Sequence, residues 1–437
     1  MQDGSVYMNG NLKNYLDSMA GNLPPEIISP ETFSQIYKMA DLFADFAASE
    51  YIMETHLYTD AAEADFSWRV LADEKACLEN GLKSEHLSAL AGSNTWAKIV
   101  DFINFWPPAM ADIWLEMDYD ELDKPIPQPC FFFNAEAVKK GSIVDEELLF
   151  RALEHLADRE KLNLLRPHLL KAVDQLPSEI GLFQVGVMLA RHSDRVRIFT
   201  GELTREQLLD YLSNIGWKGP LPQLQELFEL VHPYSDGNYI LDFDVSRQGI
   251  SEKIGINFGL ETKEILPDFL ENLINHQLCT DKKRNGVIAW PGSFGSYLGS
   301  GYGYTALLKD ISHFKIACSP EAGLKAKAYL RVAGVYMQEL FKNQKPKPAS
   351  SGEEDASNGQ MDYKQMQNLL KKVSLKAALD QEYRNLCLTD SQAALQLMGT
   401  DTKIPAVIFL EADDGVDYGG NAYILPPFIK KSWLLSQ

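Results

Sequence analysis

Cationic side chains recur on four segments of this chain at a spacing of two, in stretches whose intervening residues are apolar. Arg69 shares its parity with Asp65 and Ser67, Arg195 with Arg197, and Lys253 with Asn257, while Lys325, Lys327, Tyr329 and Arg331 form a run. Between them lie Val196 and Ile198, Ile254 and Ile256, and then Leu324, Ala326, Ala328 and Leu330. Alternation of this kind predicts strands with one polar face and one face that must be covered. Polar faces turned to bulk water are the ordinary outside of a one-sided sheet. Turned toward one another, they would gather guanidinium forks and ammonium point charges into a pocket able to hold a diphosphate.

The elements that position these residues repeat. Two short alternating stretches joined by a turn are followed by a helical stretch, at intervals of roughly 45 to 75 residues. The clearest copy reads GLFQVGVMLA, a turn at Arg191 to Asp194, RVRIFTG, then TREQLLDYLSNIGW, where Thr204 and Gln207 fit a capping box. NYILDFDV, SEKIGINFGLE and PDFLENLINHQL form another copy; SHFKIACS, LKAKAYLRV and VYMQELF form a third. Weaker copies are DIWLEMDYD with QPCFFFNAE before a helical stretch from Asp145 to Gln175, and THLYTDA with ADFSWRVLA before DEKACLENGL. Five such hairpins make ten antiparallel strands. These give either an open sheet covered by helices on one face, or a closed barrel wide enough to enclose a chamber.

Composition narrows the function classes. With 61 acidic and 41 basic residues the net charge is -20, which repels nucleic acid and anionic lipid surfaces. No apolar run reaches the ~18 residues of a membrane span, and the first residues lack a secretion signal, so a cytoplasmic location is expected. The five cysteines are far apart and the eight histidines lack ligand spacing, so neither disulfides nor a metal site are expected, and no cofactor is called for. Gly295, Gly299, Gly301 and Gly303 do not sit between a strand and a helix, which argues against a nucleotide-binding fingerprint. They suit a mobile loop at a barrel mouth, with Tyr297, Tyr302 and Tyr304 as lids or peptide contacts.

Residues 50 to 341 resemble the barrel-type aromatic prenyltransferases: the Arg195-Val196-Arg197 and Lys327-Ala328-Tyr329 triplets are similar to that family's basic inner-strand triplets. The resemblance implies an α+β fold, a ten-stranded antiparallel barrel of αββα units surrounded by helices, with an isoprenoid diphosphate as partner. It implies diphosphate contacts at Arg69, Arg195, Arg197, Lys253, Lys325, Lys327, Tyr329 and Arg331, and a proton-removing carboxylate, for which Glu116 is the candidate. Trp68, Trp114, Tyr239 and Phe258 are candidate chamber aromatics. The Asp-rich magnesium motif of the helical prenyl synthases is missing from the sequence.

A polar stretch, KNQKPKPASSGEEDASNGQ at 342–360, has too little apolar surface to fold and reads as a linker to a tail at 361–437. The tail resembles the nitrile hydratase-like leader peptides of ribosomally made, modified peptides. The matching features are Asp380 to Arg384, Leu388 with Asp390, Ala394-Leu395, Gly399, Ile404-Pro405 and Leu425-Pro426-Pro427. After Pro427 come ten residues, FIKKSWLLSQ, with no cysteine and two serines, so little core peptide follows. Together the two resemblances imply a peptide-maturation enzyme that prenylates an aromatic side chain of a peptide, with Trp433 of its own tail as one candidate. The alternative is a noncatalytic adaptor that binds precursor leader peptides.

Overall fold

The period-two segments become ten strands: β1 (Glu50–His56), β2 (Asp65–Leu71), β3 (Asp112–Met117), β4 (Cys130–Asn134), β5 (Leu182–Val187), β6 (Val196–Leu203), β7 (Tyr239–Ser246), β8 (Gly249–Phe258), β9 (Tyr304–Ser319) and β10 (Gly323–Tyr336). The computed structural model describes residues 10–43, 47–48, 50–82, 93–191, 194–297, 304–336, 369–370, 372–373, 376–377, 380–398, 408–410 and 422–425. Each strand pairs with the next in sequence, and β10 pairs with β1, so the sheet closes into a barrel without edges. The β8–β9 seam runs antiparallel from Ile254 opposite Cys318 to Phe258 opposite Phe314. The fold is thus the α+β ten-stranded antiparallel barrel with helices around it, the closed form of the two sheets that the repeats allowed.

Among the described residues helices follow β2, β4, β6 and β8, because each hairpin exposes one apolar face. Arg205–Ile215 begins with the Thr204–Gln207 capping box and ends at Gly216, whose φ of 80° is the left-handed cap glycine favours. The stretch from Asp145 to Gln175 splits into helices Glu146–Leu156 and Arg159–Asp174, because Asp158 caps a second start. Between helices and sheet lies an aromatic-rich layer: Trp68 of β2 is fully buried beside Phe43, which packs on Trp96 at 5.3 Å. Tyr239 packs there too, on Phe228. The layer therefore takes both rings, and neither lines the interior.

Three expectations shift. The first strand is Glu50–His56, not THLYTDA, whose later residues turn away; the run Tyr51 to Met53 is buried and makes the better strand. Val335 and Tyr336, expected to start a helix, extend β10. Gly292–Tyr297 is a strand pairing with β9 rather than a loop; the loop's remaining residues, 298–303, lie outside the described residues.

The chain divides into two compact units, one of 11–291 with 309–332 and one of 1–10, 292–308 and 333–437. Within the second, Asp380 caps helix Gln381–Thr389 and Asp390 caps Ser391–Gln396. Strands Ile408–Leu410 and Ala422–Ile424 pair in parallel. Val373, Tyr383, Cys387, Leu395, Phe409 and Leu425 form its apolar cluster. The 342–360 segment and Trp433 lie outside the described residues.

Candidate active site

Alternation along the barrel strands sends Phe66, Trp68 and Val70 outward and turns Ser67 and Arg69 toward a lumen of about 500 Å³. Glu116, Arg69, Arg197, Lys253, Lys327, Tyr329 and Arg331 all line this cavity. Two candidates do not. Arg195 sits at the strand start, with its side chain 56% exposed and 3.8 Å from Asp244. Lys325 instead lies over the Tyr58 ring at 4.9 Å. Trp114 lines the lumen, together with Phe132 and Phe199, whereas the Phe258 ring packs on Phe269 at 5.8 Å and on Tyr239 in the helical layer.

Sequence reasoning drew its cations from the second strand of each hairpin and, Glu116 apart, missed the first-strand carboxylates, which bring the counter-charges. Glu50 stands directly across β1–β2 from Arg69, and Asp244 across β6–β7 from Arg197. The guanidinium of Arg69 donates to Glu50 and, at 2.7 Å, to Asp112; that of Arg197 donates to Asp244 at 2.7 Å. Lys327 bonds Glu54, and Arg331 bonds Asp310 at 2.8 Å. The ammonium of Lys315 lies 2.8 Å from Asp242, whose other oxygen accepts from Asn257 at the same distance. Gly255 makes room for that pair, since a Cβ there would lie 2.3 Å from both Asp242 and Lys315. The sequence carried this signal: Asp242 and Asp244 alternate in NYILDFDV, and His313 and Lys315 in SHFKIACS. Arg191, read as a turn residue, donates to Asp118 at 2.8 Å and to Glu116 at 3.3 Å.

One lumen cation stands apart. Lys253 makes no ion pair among the described residues, and burial, then Arg197, Lys327 and Lys315, lower its pKa. Seven of the lining side chains are cationic, and Lys253 alone among them has no ion pair among the described residues, which leaves it open to an incoming anion.

On the opposite wall protons are in surplus. Glu116 is pushed up to about 7 by burial and by Glu54, against the pull of Arg191. Asp65, across the ladder from Glu54, is pushed up to about 8 by burial and the same neighbour. Burial also penalises Glu54, but Lys327 and Lys315 outweigh it and hold that carboxylate below the usual range. His313 stacks on Tyr329 at 4.1 Å, and burial followed by the Lys315 charge lowers its pKa to about 4, leaving a neutral ring at pH 7. The ligand atoms of Glu116, Asp118 and Cys130 lie within 4.8 Å of one another, yet the Arg191 guanidinium already neutralises this cluster. Burial raises the Cys130 thiol far above its ordinary value, so it stays protonated beside them.

A closed antiparallel barrel with a helical jacket and a charged, aromatic-lined lumen is the class this fold and site define. No protein-family model and no curated protein matches the sequence. Among solved structures it is similar to AnaPT from Neosartorya fischeri, at 10% identity over 75% of this chain and 93% of that one, with a TM-score of 0.43. It is also similar to the prenyltransferase PriB in its ternary complex with L-tryptophan and dimethylallyl thiolodiphosphate, at 13% identity over 73% and 96%, TM-score 0.45. The NotF prenyltransferase gives 8% over 72% and 91%, TM-score 0.41. Among the described residues no helix is long and apolar enough to cross a membrane.

Proposed function

We propose that the barrel transfers an isoprenoid from its diphosphate to an aromatic side chain of a peptide. The observation that carries this reading is the pairing, in one lumen, of an unmatched Lys253 among other cations with Glu116 poised at about 7. The diphosphate would sit against Lys253, Arg197, Lys315 and Lys327. Its C–O bond breaks, the electron pair leaving with the diphosphate, and the allyl cation is shielded by the faces of Trp114, Phe132, Phe199 and Tyr329. An acceptor ring then forms the new C–C bond and passes its displaced proton to ionised Glu116. A pKa near 7 suits that step, because the carboxylate is basic enough to accept the proton and still substantially ionised at neutral pH.

Incubation with dimethylallyl diphosphate and aromatic peptides, followed by intact mass, tests it. A gain of one isoprenoid unit that disappears in Glu116→Gln is expected; no gain on any acceptor or on the chain itself removes the reading.

The extensive pairing of lumen cations favours a second reading, a noncatalytic adaptor for leader peptides of modified-peptide pathways. A charge-matched wall binds polar peptide without reserving a full anion site. That reading expects deletion of residues 342–437 to raise affinity for a leader peptide of the tail's own type, and unchanged affinity would count against it.

A further inference from the structure

The lumen differs from one end to the other. Because neighbouring strands alternate in direction, the starts of odd-numbered strands and the ends of even-numbered ones share one mouth. Glu202 near the end of β6 and Asp236 just before β7 line the cavity at that mouth, both exposed to it and neither in an ion pair among the described residues. Two solvated carboxylates would not make a site. A separate observation concerns Gln184 of β5, which lines the same mouth. Its side chain amide makes no hydrogen bond among the described residues, although the residue is only 7% exposed. An amide that opens onto the lumen with its donors and acceptor unused is free to take a polar partner such as a peptide group. Beside it Phe183, 37% exposed, offers a ring face. The unmatched lysine, Lys253, lies further down the lumen, past the midpoint from this mouth.

We propose that this mouth selects the acceptor: it takes a peptide whose aromatic ring is flanked by cationic side chains. The cations meet Glu202 and Asp236, a backbone amide meets Gln184, and the ring reaches down toward Trp114. An anionic donor is repelled here and drawn toward Lys253 instead, so the two ligands sort by charge along one axis. The sequence FIKKSW at residues 428–433 has the required composition and supplies the probe. The fate of the ring rests on the prenyl-transfer reading; the charge selection does not.

The test measures binding to the full chain without any donor. A fluorescent peptide FIKKSWLLSQ is compared with its analogue carrying Lys430→Ala and Lys431→Ala. The lysine peptide is expected to bind on the order of 10-fold tighter, and the gap to narrow at high salt. In Glu202→Gln/Asp236→Asn the gap should fall to within about 2-fold, while Gln184→Ala weakens both peptides alike. Circular dichroism and thermal melting establish that the variants stay folded. Equal binding of the two peptides to the unmodified chain overturns the proposal, as does a gap that survives the double substitution. Dimethylallyl diphosphate is then added. Charge-selected binding without prenylation of the bound peptide removes the transferase reading and leaves the selection standing; prenylation that ignores peptide charge does the reverse.

Discussion

On the β6–β9 wall of the lumen, Asp242 and Asp244 face Lys315 and Arg197, with Asn257 filling a remaining lone pair. Across the cavity, on β1–β3 and the turn that follows, Glu54, Asp65, Glu116 and Asp118 have Lys327 and Arg191 as their ion-pair partners among the described residues. Apart from Lys253 of β8, the first wall closes its inward charges within the protein. In the second, burial and the charge of Glu54 together raise Asp65 to about 8 and Glu116 to about 7, so this wall keeps protons at neutral pH. A wall that satisfies its own charges holds shape, whereas one that must borrow protons can exchange them with a substrate.

The comparison breaks most sharply at Glu116. If that carboxylate is the proton acceptor, Glu116→Gln lowers the rate of isoprenoid transfer by about 10²- to 10⁴-fold. Stability should hold or rise, because an amide needs no neutralising proton. Loss of stability with unchanged turnover would move Glu116 from the reactive wall to the structural one.

The next effect falls on the other wall. Lys315→Met leaves Asp242 buried with Asn257 as its remaining side-chain partner, which costs about 3–5 kcal/mol in urea unfolding. Adding Asp242→Asn to it should recover much of that loss. A single variant as stable as the parent would show that this wall is not held by its charges.

How far the sequence reveals such walls depends on what the period-two pattern can carry. It locates strands and faces, so the barrel and the inward parity of Arg69, Arg197, Lys253 and Lys327 were legible. Closure itself was not, because β10 meets β1 through backbone bonds between segments almost the whole barrel apart, and no local residue records that. Arg191 was illegible for a similar reason: it leaves a turn, where parity has no meaning, to reach Glu116 and Asp118 on a different hairpin. Trp68 and Tyr239 went to the helical layer because outward parity placed them there, although their ring chemistry suggested the chamber.

A smaller, pH-dependent effect separates the walls in solution. Asp65 and Glu116 have folded pKa values above those of an unfolded chain, so the native state binds the extra protons and their contribution to stability falls as pH rises from about 4 toward 8. Each retained proton contributes a slope of up to about 1.4 kcal/mol per pH unit. Glu54 has the opposite shift, and its contribution is lost only as pH falls far below this window. Buried His56 and His313, both lowered to about 4, give the opposite slope below about 6.5, so urea titrations at pH 6.5, 7.5 and 9 should show the declining stability, and it should flatten in Asp65→Asn. A slope unchanged by that substitution would assign the protons elsewhere.

The smallest effect concerns Arg195, which shares parity with Arg197 but stands just before the start of β6, at the end of the barrel opposite Glu202, more than half exposed and 3.8 Å from Asp244. Arg197 already satisfies both oxygens of that carboxylate, at 2.7 and 3.3 Å. An exposed second cation adds at most about 1 kcal/mol, screened by salt, so Arg195→Ala should change unfolding by less than that and leave donor affinity within about 2-fold. Arg197→Ala instead strips Asp244 of its buried partner and raises the negative charge beside Lys253, so it should alter both stability and anion binding. Equal responses from the two variants would mean that Arg195 turns inward when an anion arrives, and the charged wall would then extend past the start of β6, away from the acceptor mouth.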